Sequence, residues 1–416
     1  MRIAVIGGGA AGLSASIAAA DNGAEVTLFE RNDRVGKKLL LTGNGRCNLT
    51  NLSMDTTCYY PFESRDFVRE ELKSFSSVEC ISFFENLGLI TKDKNGYVYP
   101  HNEQASSVLD ILRNAVSNRG IELKTQHEII DIKPDCGNKR LFGISAKTGN
   151  ENGEEEKRYY FDRVILATGG MSYKKTGSDG NGYQLLKGLG HSIVKPMPAL
   201  CALKGEGGFY KAVSGVRCEA ELSLFVNDQN VCRESGELQI TDYGISGIPV
   251  FQFSRLAGEA LKDKSTVKVT ADFLPGLPAE DMEAFADSRI KALRVKSFGE
   301  FFEGLINKKL MLLILKKSGL KPEMAFEGAR DRERVLKVFR LIKGFDFVIN
   351  STNSFDNAQT TAGGVPVAEI NADYSSKIIS WLYIIGELVD IDGKCGGYNL
   401  HHAWMSGRRA GKSAAV

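Results

Sequence analysis

The sequence has no close cysteine pairs. Its eight cysteines, Cys47, Cys58, Cys80, Cys136, Cys201, Cys218, Cys232 and Cys395, include no CxxC. That excludes a zinc ribbon and a thioredoxin-like dithiol, and no other metal-ligand spacing is present. Charge of one sign is also missing: 53 basic residues stand against 51 acidic ones, a net of +2. No surplus of Lys and Arg is available for a phosphate backbone, so a nucleic-acid partner is not expected. Internal repeats and low-complexity tracts are absent. The uncharged run Ile3 to Ala20 is barely long enough to span a membrane and is built of Gly, Ala and Ser rather than Leu, Ile and Phe. Four glycines in that run, with only Arg2 basic ahead of it, argue against a secretory leader. The apolar stretch Leu310 to Leu315 is flanked closely by lysines and reads as a helix buried between domains. No membrane insertion is expected, and reduced thiols in a cytoplasm are.

Glycine is abundant, at 44 residues against an average usage of roughly 7%. Residues 3–31 read IAVIGGGAAGLSASIAAADNGAEVTLFER, which parses as a strand, glycines at 7, 9 and 12, a small-residue helix, a second strand and an acid, Glu30. Glycines at this spacing let the backbone turn tightly and approach a pyrophosphate, whose charge meets the N-terminal N–H groups of the helix. Glu30 follows at about the twenty-residue distance that places a carboxylate on a ribose 2′-hydroxyl, which favours FAD or NAD over a 2′-phosphorylated cofactor.

The chain changes style twice. RNDRVGKKLLLTGNGRCNLTN after Glu30 interleaves glycines with basic residues and suits an anionic cofactor threading through. VILATGG at 164–170 is a buried-type strand ending in two glycines, which the fold returns beside the first strand. From about Ser192, segments such as AELSLFVND and STVKVTADFL alternate apolar and polar residues as an antiparallel sheet or small barrel does. Residues 279–340 carry helical periodicity. ISWLYIIGELVDIDGKCGGYNLHHAWMSGRRAGKSAA then returns to the first style, with a strand, Gly386-Glu387, a glycine-rich turn and a final helix from about Asn399. A second glycine-plus-acid site far from the first fits a long two-part cofactor, FAD better than NAD. The positive end of the last helix would aim at the N1/C2=O edge of the ring.

With both ends in view, the chain resembles the flavoprotein family named for 3-dehydro-bile-acid Δ4,6-reductase, which also contains aminoacetone oxidase. The matching motifs are GGGAAG at 7–12, GKKLLLTGNGRCNLTN at 36–51, ATGG at 167–170, TGSDGNGY at 176–183, TTAGGV at 360–365 and GELVDIDGKCGGYNLHHAW at 386–404. The resemblance implies an α/β fold: a Rossmann-type FAD-binding domain with an inserted β-rich, barrel-like domain and a small helical domain. The expected boundaries are 1–191 and 346–416 for FAD, 192–274 for the β-rich substrate domain, with 335–345 as a candidate completing segment, and 275–334 for the helices.

Carried over by position, the resemblance implies FAD contacts at Gly7, Gly9, Ala10, Ala11 and Gly12 for the pyrophosphate and Glu30 with Arg31 for the adenosine ribose. Lys38 and Arg46 would lie along the phosphates, Ile130 near adenine, and Thr168 and Gly169 beside it. Gly386, Glu387, Gly397, Asn399 and Leu400 would hold the ribityl chain and ring. His401-His402 departs from the family, where many members carry a Gln and an aromatic.

The expected activity is reduction of a conjugated C=C bond in a hydrophobic, steroid- or bile-acid-like enone, with non-covalent FAD and NAD(P)H as the electron donor. Tyr398 and His401 are candidate proton donors, and Thr361 is a candidate hydrogen-bond partner at the ring face. Two alternatives remain open: an aminoacetone-type amine oxidase producing peroxide, and a FAD-binding regulator or RNA-modifying scaffold without turnover. The partner is expected to be a small-molecule substrate.

Overall fold

The computed structural model describes residues 1–134, 141–150 and 153–416; Cys136 and the tip of the hairpin expected near 149–156 lie outside them. Two compact units emerge, one from residues 1–198 and 355–416 and the other from residues 199–354.

The first unit is organised by a five-stranded parallel sheet in the order Leu382–Ile384, Arg163–Leu166, Arg2–Ile6, Glu25–Phe29 and Glu122–Lys124. The central strand, Arg2–Ile6, buries four successive residues, as a strand covered on both faces must. The order places the chain's start beside strands from its middle and its end, so neither terminus completes the sheet alone. The helix Ala10–Asp21 follows the first strand through a turn in which a Cβ at Gly12 would lie 1.8 Å from Gly7 O. Only glycine permits that crossing of strand and helix.

The last helix, Tyr398–Ala415, lies directly on this first helix. Gly407 and Gly411 sit where a Cβ would come within 2.4 Å of Ala11 O and 2.3 Å of Ala15 O, and Ser14 Oγ donates to Trp404 O at 3.0 Å. Small residues on both helices are therefore what bring the two ends of the chain together. A three-stranded antiparallel sheet of Gly153–Phe161, Phe142–Asn150 and His127–Pro134 belongs to the same unit.

The second unit is a closed barrel in the order Leu203–Gly205, Gly244–Ser246, Gln229–Ile240, Arg217–Val226, Val267–Asp272 and Phe345–Thr352. Its alternating strands put Leu222 and Leu224, Val267 and Val269, and Phe345 and Phe347 inside. Residues 335–343 belong to the helix Arg332–Lys343, and the strand that closes the barrel begins at Phe345. The helices Lys308–Ser318 and Arg332–Lys343 contribute Leu310, Ile314, Val335 and Phe339 to the same core. The apolar stretch at 310–315 is thus interior to this unit. Among the described residues no helix is long and apolar enough to cross a membrane.

Replacing Gly407 or Gly411 by leucine is expected to destabilise the first unit by about 1–3 kcal/mol, the usual cost of overpacking a close contact. Thermal unfolding checks it: the melting temperature should fall for either variant and stay unchanged for Lys412→Ala on the exposed face of the same helix.

Candidate functional site

Several chain segments wall a cleft of about 1280 Å³, partly open to solvent, that lies wholly within the first unit. The glycine turn and first helix supply Gly7, Gly9, Ala10 and Ala11; the end of the second strand supplies Glu30 and Arg31. Lys38, Thr168 and Gly169 follow, and the C-terminal segment supplies Gly386, Glu387, Asn399 and Leu400. No side chain caps the first helix at Gly9, so its leading N–H groups are free to meet an anion.

Glu30 is buried and held at both carboxylate oxygens. Its Oε2 accepts from Gly8 N at 2.9 Å, and its Oε1 accepts from Asn32 N at 2.8 Å and Asn32 Nδ2 at 2.6 Å. A carboxylate has about four acceptor positions, so these bonds fix the group and leave capacity for one more donor, such as a ribose hydroxyl. Arg31 beside it bridges Asp179 at 2.6 Å and Glu128 at 2.9 Å. At the other end, Glu387 gathers Lys38 Nζ at 2.6 Å, Thr361 N at 2.7 Å and Thr360 Oγ1 at 3.3 Å. Lys38 is thereby anchored to the C-terminal segment. Asn399 both accepts from Gly393 N and donates to Gly393 O, each at 2.8 Å, which fastens the glycine-rich turn to the start of the last helix.

Several expected residues stand behind the wall. Gly12 lies under Gly7, and Gly397 packs on the Thr50 backbone. Arg46 pairs with Glu103 at 3.4 Å and is half exposed. Ile129 lines the cleft where Ile130 does not, because neighbouring residues of a strand face opposite ways and the pairing slips between Ile129 and Asp131. Thr361 Oγ1 accepts from Met171 N at 2.8 Å. The Tyr398 hydroxyl donates to Ser53 O at 3.3 Å. His401 bonds Phe75 O through Nε2 at 2.9 Å and Thr50 Oγ1 through Nδ1 at 2.8 Å. Nε2 must donate to the carbonyl, so Nδ1 accepts and the ring is neutral; burial lowers its pKa to about 4.

Wall residues that motif reading passed over include Thr42, Ser178, Asp179, Gln359, Thr360, Ile391 and His402. The signal for two of them was present: the glycine-rich TGSDGNGY segment puts Ser178 and Asp179 on the same cleft. Cys47 is fully buried, and burial pushes its thiol up to about 12, so it stays protonated and unreactive. The seven described cysteines form no disulfide with one another.

The residues fit a dinucleotide. The glycine turn leaves open space at Gly9, where an added Cβ would meet nothing within 4 Å, and the buried Thr168 Oγ1 on the wall has no partner within the protein. Fold and cleft together define a Rossmann-type dinucleotide-binding protein. The sequence profile of the HI0933-like protein Rossmann domain matches residues 1–413, and the chain belongs to that family. It is similar to a 3-dehydro-bile acid delta(4,6)-reductase of Clostridium scindens, 40% identical over 420 residues, covering 100% of this chain and 99% of the relative. A ribosomal RNA dihydrouridine synthase of Haemophilus influenzae is 27% identical, covering 97% and 95%. Among solved structures, 3-ketosteroid-delta4-(5alpha)-dehydrogenase of Rhodococcus jostii RHA1 aligns with a TM-score of 0.53 at 16% identity, over 100% of this chain and 96% of that one, a likeness of fold.

His401 and His402 are both held near a pKa of about 4 by burial. Because the folded values lie below the ordinary 6.5, the unfolded chain binds more protons between the two. The stability from neutral burial is complete above pH 6.5 and is lost as pH falls toward 4, on the order of 3 kcal/mol per histidine. Urea midpoints measured from pH 7.5 to 4.5 should fall in the wild type, and His401→Gln should flatten part of that slope.

Proposed function

We propose that this protein reduces a conjugated C=C bond in a hydrophobic, steroid- or bile-acid-like enone, using FAD and electrons from NAD(P)H. The observation that carries this reading is the end-to-end 40% identity to the bile acid reductase, in a chain whose own cleft fits the cofactor. When bound, FAD supplies hydride acceptance from the donor and hydride delivery to the β-carbon of the enone. Gly7, Gly9, Ala10 and Ala11 would receive the pyrophosphate, with Gly12 permitting their approach, and Glu30 the adenosine ribose, with Arg31, Thr168 and Gly169 alongside.

Lys38 and Glu387, tied at 2.6 Å, would flank the ribityl and ring end together with Gly386, Asn399 and Leu400. Gly397 would set the entry of the last helix, whose N-terminal dipole stabilises negative charge on the ring edge. Neither Tyr398, whose hydroxyl donates to Ser53 O, nor His401, whose two nitrogens are bonded inside the protein, has a proton free for the α-carbon in this arrangement. The second unit is a barrel with helices, so the nicotinamide donor would enter the substrate cleft itself.

A second reading has its own support in the ribosomal RNA dihydrouridine synthases, 27% and 24% identical over 97% of this chain. Forming dihydrouridine also saturates a ring C=C conjugated to a carbonyl, so the same flavin chemistry would serve. The net charge of +2 favours the small-molecule substrate.

Anaerobic mixing of the FAD-loaded protein with NADH, NADPH or aminoacetone, followed by flavin bleaching, separates the readings. We expect bleaching by a nicotinamide donor, return of colour on adding a 3-oxo-Δ4 or 3-oxo-Δ4,6 steroid, and release of FAD by acid. Bleaching by aminoacetone alone would make the protein an amine oxidase; recovery of colour with ribosomal RNA and not with the steroid would favour the second reading. No bleaching by any donor would leave a non-catalytic flavoprotein. Glu30→Ala, which removes the carboxylate that anchors Gly8 and Asn32, should weaken FAD binding about tenfold or more by fluorescence titration.

A further inference from the structure

Behind the cofactor cleft, four buried polar atoms of three side chains have no hydrogen-bond partner at ordinary distance and angle, Glu71 Oε2, Tyr374 Oη, and Nδ1 and Nε2 of His402, although Tyr374 and Glu71 face each other and His402 faces the Gly386 backbone. They are neighbours. Glu71, in the helix Arg65–Ser74, is 2% exposed, and its other oxygen accepts from Arg409 Nη1 at 2.6 Å. The fully buried Tyr374 turns its hydroxyl toward the same carboxyl. Its ring centre lies 6.0 Å from that of His402, and His402 forms part of the cleft wall with Gly386 and Ala403. Arg409, at the far end, opens onto a surface cleft with Asp373, Lys412 and Ser413.

Each unsatisfied buried polar atom costs about 1–3 kcal/mol, so four in one place require a common explanation. The backbone also carries strain here: Tyr374 has φ +67°, a left-handed conformation unfavourable for an aromatic residue. Two bonds hold it there, Tyr374 N to Asn371 O at 2.9 Å and Ile384 N to Tyr374 O at 3.0 Å.

We infer that Glu71, Tyr374 and His402 form a proton-transfer chain leading from the Arg409 surface to the wall of the cofactor cleft. The groups are complementary: a protonated carboxyl donates, while a phenol and a neutral imidazole each donate and accept. Ordered water can close the gaps between such buried polar groups. Glu71 passes its proton to Tyr374 Oη as the phenol gives its own to one nitrogen of His402, and the other nitrogen releases a proton into the cleft. Tyr374 ends neutral as it began, His402 ends neutral in its other tautomer, which must revert before the next transfer, and Glu71 is reloaded from solvent beside Arg409.

The ionisation states suit this order. Burial, opposed by Arg409, raises Glu71 to about 7; it also keeps the Tyr374 phenol protonated and lowers His402 to about 4. Arg409 and Tyr374 face Glu71; Glu71, Arg409 and Tyr59 face Tyr374; His401 faces His402. Two-electron reduction of bound FAD takes up a proton, which is the demand the chain would serve. The inference rests on the FAD site and is independent of the donor and substrate proposed above.

The test is anaerobic dithionite reduction of the FAD-loaded protein in H2O and D2O from pH 5.5 to 9, which needs neither NAD(P)H nor enone. The wild type should be slower in D2O, with a rate that titrates near pH 7. Tyr374→Phe and Glu71→Gln should each slow reduction about tenfold or more at pH 7 and flatten the profile, with FAD affinity and melting temperature retained. A merely structural role would move those last two quantities instead. On the wild type alone, infrared difference spectra should contain a protonated-carboxyl band that titrates near pH 7. No solvent isotope effect in the wild type, wild-type rates in both variants at every pH, or absence of that band would overturn the inference.

Discussion

The first unit depends on the close approach of its two terminal helices. Gly407 and Gly411 let the last helix ride on the carbonyls of Ala11 and Ala15, with almost no side-chain volume between the backbones. Such contacts gain dispersion energy over a long seam, but their larger effect is positional. The last helix carries Gly407 onto Ala11 at the start of the first helix, so two segments almost 400 positions apart wall one cleft.

Polar groups in that cleft are held by other protein groups before any ligand arrives. Glu30 is clamped by two backbone amides and a side-chain amide, and Glu387 by a lysine, an amide and a hydroxyl. Prepaid orientation of this kind lowers the entropy cost of binding. It also explains why carboxylates tolerate burial there: each has a donor for nearly every lone pair. The buried cluster of Glu71, Tyr374 and His402 differs sharply: beyond the Glu71–Arg409 bond, four of its polar atoms have no partner of ordinary geometry.

Much of this architecture could be read from residue order. The spacing of Gly7, Gly9 and Gly12 before Glu30 encodes a local strand, turn and helix, and the local geometry is what the cleft uses. Alternation in AELSLFVND and STVKVTADFL likewise fixes which side chains fill the barrel, because strand periodicity is a property of the chain itself. Contacts that join distant segments were not readable in this way. A slip in strand pairing puts Ile129 in the wall instead of Ile130. The bonds that engage His401, Tyr398 and Thr361 come from residues far away in the sequence.

The sequence by itself determined the class of fold and singled out two glycine-rich segments as the proposed meeting places for a dinucleotide, since each rests on short-range stereochemistry and on side chains a few positions apart. Tertiary structure alone decided which of those side chains face the cleft and which are consumed as internal braces. It also decided that Glu71, Tyr374 and His402 share one buried pocket of unsatisfied polar atoms. Burial and hydrogen-bond satisfaction depend on what folds against a residue, and a linear pattern contains no record of that neighbour.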